Sequence, residues 1–285
     1  MADLAPDREG FLPAGEHRVH WEYFGTGGKE PLVLLNGLAM HTQAWWGFLP
    51  RLLGRHDVLL YDYLGQGESS APDEPVLIPE LAGFAAAIAD ELRLGKLHVL
   101  GISYGGFVAL DFARLFPRRL HTLTLSGIHL SREELFSMYQ ELSLLFYRGG
   151  PAAFEIYTRY LYEKIFGESF VRRFKEKLPA MREGFHARYK DRVHALVRLT
   201  LAQDPFFAAL DDNLPGYRAV TAPVLVMPGE DDRTIPPKVQ RKLLDVFPNS
   251  RWEPIADSGH VVYLEQPDLF WGTLLRFTEA KSTAF

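Results

Sequence analysis

Cysteine is absent from the 285-residue chain. That excludes disulfides, a thiol nucleophile and thiolate metal sites, and it fits a reducing compartment. No eighteen consecutive apolar residues occur, so no helix is expected to span a membrane, and the opening "MADLAPDREGFLPAG" lacks the apolar core of a secretory leader. Basic stripes are missing as well. The formal charge is −5 without the Lys/Arg footprint that a polyanion-binding surface carries. Repeats, low-complexity tracts and linker-like composition are not found. These absences lead us to expect a cytoplasmic protein with no nucleic-acid partner.

What is present is a composition of 47% hydrophobic and 24% charged residues, enough for one large α/β domain with residues to spare. Strand-like runs, "HRVHWEYF", "PLVLLNG", "HDVLLYDY", "KLHVLGI" and "LHTLTLSGI", alternate with helical runs at 42–53, 79–94 and 104–116. That rhythm predicts a mostly parallel sheet flanked by helices. From residue 131 to about 213 the strand signal disappears. "SREELFSMYQELSLLFYRGG" opens with a Ser-x-x-Glu capping box, Ser131 with Glu134, and closes on Gly149-Gly150. Three further helical runs follow, through Gly167, Gly184 and Gln203. An insertion of roughly 85 residues is too long for an ordinary crossover. The α/β rhythm then returns with "APVLVMPGE", a helix at 237–247, "SRWEPIADSGH" and a last helix at 268–280. The expected division is a core of residues 1–128 and 219–285 with a helical cap, 129–218, inserted in it.

Within this frame Gly101-Ile102-Ser103-Tyr104-Gly105 stands where a buried strand gives way to an amphipathic helix. The pattern alone is weak, but strand, serine, helix is the order a nucleophile elbow requires, with small residues two before and two after the serine. A serine hydroxyl needs a general base and a carboxylate to orient that base. Glu230, Asp231 and Asp232 follow one late strand, and His260, preceded by Ser258-Gly259, follows the next. His129, His186 and His194 keep a possible ligand-facing role; the remaining histidines lie in or near early strands.

The chain order Ser103, Asp232, His260 resembles that of the α/β-hydrolase fold, as a capped, esterase- or lipase-like member, over nearly the whole length. The resemblance implies an acid in a Gly-x-x-Asp-x-x-x-Pro string, met by Gly229 to Pro236 with Asp232 in the acid position and Asp231 as a turn neighbour. It also implies an oxyanion hole from the backbone N–H groups of Leu38 and Tyr104. Asn36-Gly37-Leu38 takes the place of the usual His-Gly, with Asn36 shaping the loop. Asp62-Tyr63-Leu64-Gly65-Gln66-Gly67-Glu68-Ser69 is similar to an early turn of the same fold. A dinucleotide reading of its glycines fails, since Ser70 replaces the third and Pro72 and Pro75 break any helix. Neither cofactor nor metal is expected. Serine rather than aspartate at the elbow points to acyl chemistry. Thirteen Phe and Tyr between Phe136 and Tyr189 crowd the insertion, and the minority facing inward would line an apolar pocket. The expected substrate is therefore a small hydrophobic carboxylic ester. Acyl transfer of the 3-hydroxyacyl-transferase type, lactone hydrolysis and non-catalytic ligand binding are the alternatives.

Overall fold

The computed structural model describes residues 4–285; residues 1–3, inside the expected core boundary, lie outside the described residues. Eight strands form one sheet in the order β1-β2-β4-β3-β5-β6-β7-β8. They are β1 (Arg8–Ala14), β2 (His17–Phe24), β3 (Pro31–Leu35), β4 (Asp57–Tyr61), β5 (Leu97–Ile102), β6 (Leu120–Ser126), β7 (Val224–Val226) and β8 (Ser250–Trp252). From β4 to β8 all pairings are parallel, and β2 joins β4 and β1 antiparallel.

The continuous apolar runs of β3, β4 and β5 are buried along their whole length, as strands covered on both faces must be. Alternation within them divides two cores. Val33 and Leu35 pack with the helices Ile78–Glu91 and Tyr104–Leu115, whereas Leu32 and Leu34 pack with Trp45 and the final helix, Pro267–Ala280.

The expected α/β architecture is thus found, with differences in detail. Residues 8–14 add an edge strand that the sequence reading left out. Pro13 and the charges at its start hide it, and an outer position tolerates both. The run at 42–53 is 3₁₀ over Thr42–Phe48 before a single helical turn, and that at 237–247 divides into Pro237–Gln240 and a 3₁₀ segment, Arg241–Asp245.

Between β6 and β7 lie seven helices, Glu134–Arg148, Pro151–Ile165, Glu168–Phe174, Leu178–Tyr189, Val193–Leu201, Gln203–Ala208 and Leu210–Arg218. The first does not use the capping box expected at Ser131. Its N-cap is Glu133, in extended conformation, and the Ser131 hydroxyl donates instead to the Glu133 carboxylate at 2.5 Å. Gly184 lies inside a helix rather than at a boundary. Tyr147, Phe154, Tyr157, Tyr189 and Leu196 give these helices a small core of their own. No helix among the described residues is long and apolar enough to cross a membrane.

Packing is close where β5 meets the helix Tyr104–Leu115. A Cβ on Gly105 would stand 2.3 Å from the Leu35 carbonyl oxygen and 2.7 Å from that of Asn36. Gly83, in the middle of the helix Ile78–Glu91, faces open space. Gly105→Ala is therefore expected to cost about 1–3 kcal/mol by overpacking. Gly83→Ala should instead stabilise by up to about 1 kcal/mol through helix propensity. Urea midpoints at unchanged m-value check both signs.

Candidate active site

The carboxyl ends of the parallel strands converge on one region, the usual place for a ligand in such a sheet. β5 delivers Ser103 directly. It is the N-cap of the helix Tyr104–Leu115, with φ 49° and ψ −124°, a left-handed conformation costly for a non-glycine residue. Its amide donates to the Ser126 carbonyl at the end of β6 (2.9 Å), and its carbonyl accepts from the Gly106 amide at 2.7 Å.

The loop after β3 passes beside this turn. Asn36 is fully buried; its amide group donates to the Tyr61 carbonyl (3.0 Å) and accepts from the Trp45 indole at 2.6 Å. A Cβ on Gly37 would lie 3.6 Å from that of Ser103. Leu38 and Tyr104 both line the cavity above Ser103, and neither amide donates to a backbone acceptor among the described residues.

The acid and the histidine arrive from the far side of the sheet. Asp232 is buried, and its Oδ1 accepts from the amides of Thr234 (2.8 Å) and Ile235 (2.9 Å). Its Oδ2 faces His260 Nδ1 at 2.9 Å, while His260 Nε2 faces Ser103 Oγ at 2.8 Å. Because the carboxylate only accepts, the network puts the imidazole proton on Nδ1 and leaves Nε2 to accept from the serine hydroxyl. Asp231, by contrast, is exposed, and its amide closes the turn on the Ser258 carbonyl at 2.9 Å. Ser103, His260 and Asp232 are thus together, with Leu38 and Tyr104 beside them.

The other histidines are elsewhere. His129 donates from Nδ1 to the Ser131 carbonyl at 2.8 Å and stacks on Phe207, and burial pushes it down to about 4, so its ring is neutral at ordinary pH. None of His129, His186 and His194 borders the cavity. Among the described residues no three His, Asp or Glu side chains gather as a metal would require.

Two buried residues hold the site and were not singled out in the sequence. Gln240 donates from Nε2 to Asp232 Oδ2 (3.0 Å) and to the Ile235 carbonyl (2.7 Å), and its Oε1 accepts from the Gly127 amide at 2.9 Å. Gly127 has φ +65°, and its missing Cβ leaves the space that the His260 ring fills. The Glu265 carboxylate accepts from the amides of Gly259 (3.0 Å), Val261 (3.1 Å) and Gly167 (2.8 Å), bracketing His260. Burial raises the Glu265 pKa above the usual glutamate value, against the pull of those three amides. No local pattern marks either residue; Glu265 lies only five positions beyond His260 in a helical turn of ordinary composition.

The cavity has a volume of about 290 Å³, the lower end for small-molecule sites. Of the thirteen Phe and Tyr between Phe136 and Tyr189, Phe136, Tyr139, Tyr157, Tyr162, Phe166 and Phe185 border it, and the rest pack elsewhere. Lys164 and Gln140 also belong to this wall, which is therefore less apolar than expected from the sequence.

Gln240→Met preserves size but strands the buried Gly127 N–H. A loss of about 1–3 kcal/mol in unfolding free energy is the expected outcome in a denaturant titration.

Comparisons with known proteins agree with this architecture. The family model for the alpha/beta hydrolase fold matches residues 30–267. A poly(3-hydroxyalkanoate) depolymerase of Ectopseudomonas oleovorans is 26% identical, the match covering 87% of this chain and 84% of that protein. A Bacillus subtilis protein named as a putative 2-succinyl-6-hydroxy-2,4-cyclohexadiene-1-carboxylate synthase is 28% identical over 86% of this chain and 89% of its own. Among solved structures, an alpha/beta hydrolase enzyme from a Medee basin deep-sea metagenome library superposes with a TM-score of 0.85 at 22% identity, covering 95% of this chain and 97% of that one. With the family match spanning the sheet from before β3 to the start of the last helix, the chain belongs to the alpha/beta hydrolase fold family.

Proposed function

We propose that the protein hydrolyses small carboxylic esters through an acyl-enzyme on Ser103. The observation that carries this reading is the unbroken run of hydrogen bonds from Ser103 Oγ through His260 to Asp232, at a backbone turn held at φ 49° that borders a cavity. His260 Nε2 takes the hydroxyl proton as Ser103 Oγ attacks the ester carbonyl carbon. Asp232 fixes the tautomer and stabilises the imidazolium. The amides of Leu38 and Tyr104 donate to the oxyanion as it forms, as preorganised donors aimed at developing charge do. Collapse of the tetrahedral intermediate expels the alkoxide, which takes the proton from His260. Water, deprotonated by the same nitrogen, then releases the acid and restores Ser103.

The helices over 129–218 act as a lid on a core of 1–128 and 219–285, and the cavity lined by both accepts a compact substrate. The name of the Ectopseudomonas relative, a depolymerase of a polyester, agrees with ester cleavage. Arg172, on the cap's most basic stretch, lies 3.3 Å from Glu168 in an exposed pair, as on an ordinary solvated helix face.

A fluorophosphonate probe is expected to label the wild type and to spare Ser103→Ala; labelling that survives places the nucleophile elsewhere. Asp232→Asn should keep the fold and lower kcat on p-nitrophenyl esters by roughly 10⁴-fold, the scale for neutralising a triad carboxylate. Asp231→Asn, in the exposed neighbour, should leave kcat within a few-fold, on the order expected away from the reacting groups.

A further inference from the structure

We propose that the substrate carries a single carboxylate, received by Lys164 on the cap side of the cavity; this deepens the ester-hydrolase reading above and rests on it. Lys164 lies in the last turn of the helix Pro151–Ile165 and borders the cavity, and it is the one lysine or arginine that does. Its Nζ sits 3.6 Å from the centre of the Tyr139 ring and 5.6 Å from that of Tyr160, over aromatic faces rather than beside a carboxylate. Among the described residues Asp232 is the only acid whose charge reaches it, and both Asp232 oxygens are already engaged by His260, Gln240 and two backbone amides.

A half-buried ammonium set over ring faces, with no acceptor beside it, is under-compensated. Burial pushes Lys164 down to about 8, with Asp232 acting in the opposite sense. Four other polar side-chain atoms of lining residues are unpaired, those of Tyr104 and Thr200 among them. Gln140 Nε2, one residue beyond Tyr139, and Thr234 Oγ1, in the turn that holds Asp232, are buried with no hydrogen-bond partner. Arg233 ties that turn to Lys164's helix end, donating to the carbonyls of Glu163 (2.7 Å) and Phe166 (2.6 Å) on either side of it.

One cation and four neutral groups able to donate, all without acceptors, match a group that accepts only and bears one charge. A carboxylate has that character. A phosphate dianion would call for more positive charge than a single lysine supplies.

Two isosteric pairs test the assignment, one on each side of the scissile bond. They are mono-p-nitrophenyl glutarate against p-nitrophenyl pentanoate, and 3-carboxypropyl butanoate against butyl butanoate. The quantity read is the ratio of kcat/KM, anionic over neutral, within a pair. In the wild type one pair should give a ratio above about ten, carried mainly by KM; Lys164→Met should lower it at least about ten-fold and Lys164→Arg should keep most of it. The ratio should also fall as pH rises past about 8, where Lys164 loses its proton; Asp232, Tyr139, Tyr160 and His260 are the titratable groups around it.

A ratio at or below one in both wild-type pairs, or one unchanged by Lys164→Met, overturns the proposal while ester hydrolysis stands. If none of the four esters is turned over, the hydrolase reading fails by itself. Calorimetry with glutarate then decides: binding that Lys164→Met abolishes supports the carboxylate site, and no binding, or binding indifferent to the substitution, overturns it.

Discussion

Backbone touches backbone at the start of the helix after β5, and the geometry around Ser103 follows from that contact. With no Cβ on Gly105, the first turn of the helix rests against the carbonyls of Leu35 and Asn36 at the end of β3. Gly106 packs as closely on the Ile128 side chain. The chain has therefore no room to relax between β5 and its helix, and Ser103 is held in a left-handed conformation that a serine in an open turn would leave. The loop from Asn36 to Leu38 then has one course, across the face of the serine. Its direction is fixed from beneath by the buried amide of Asn36 between Tyr61 and Trp45.

The acid and the histidine depend on a second joint, which lies between the helical insertion and the core rather than within the sheet. The turn at 163–167 meets Arg233, one residue beyond Asp232, through the carbonyls of Glu163 and Phe166. It meets His260 through the Ile165 carbonyl, which accepts the histidine's amide at 2.7 Å, and Glu265 closes the circuit by accepting from Gly167, Gly259 and Val261 together. Three polypeptide segments distant in sequence are thus held by two charged side chains that reach backbone groups and by one backbone–backbone bond. The helix Glu134–Arg148 lies away from this turn, and its residues are mostly exposed or half-buried.

Much of this was legible in the sequence because it is local. The runs "PLVLL" and "KLHVLGI" are continuous and apolar, so their burial on both faces follows from composition. Ser103 is marked by glycines within two residues, and Asp232 and His260 by their positions after late strands. Other features are invisible for physical reasons. β1 is an edge strand whose charges and proline are tolerated only because one side is unpaired, so it lacks the apolar signature of its neighbours. Ser131 and Glu134 have capping-box spacing, but the serine hydroxyl has a closer partner in Glu133, itself drawn to Lys242 more than one hundred residues away. Gln240 and Glu265 act across separations in sequence that no local pattern encodes, and only the closure of the fold brings Gln240 against Gly127.

The walls of the cavity carry the same lesson into chemistry. Counting residue types in the insertion gives an aromatic lining, and roughly half of those aromatics do border the cavity. A lysine in the last turn of a helix ordinarily reads as a solvated charge facing the negative end of the helix dipole. Here the helix carrying it packs so that its ammonium turns inward over Tyr139. Triad and fold are shared among enzymes of many specificities, so selectivity belongs to such inward-facing polar atoms and not to the elbow. An apolar wall accepts any acyl chain of suitable length with little penalty. A buried donor left unpaired penalises every ligand that cannot accept from it, and that difference in desolvation is the larger source of discrimination.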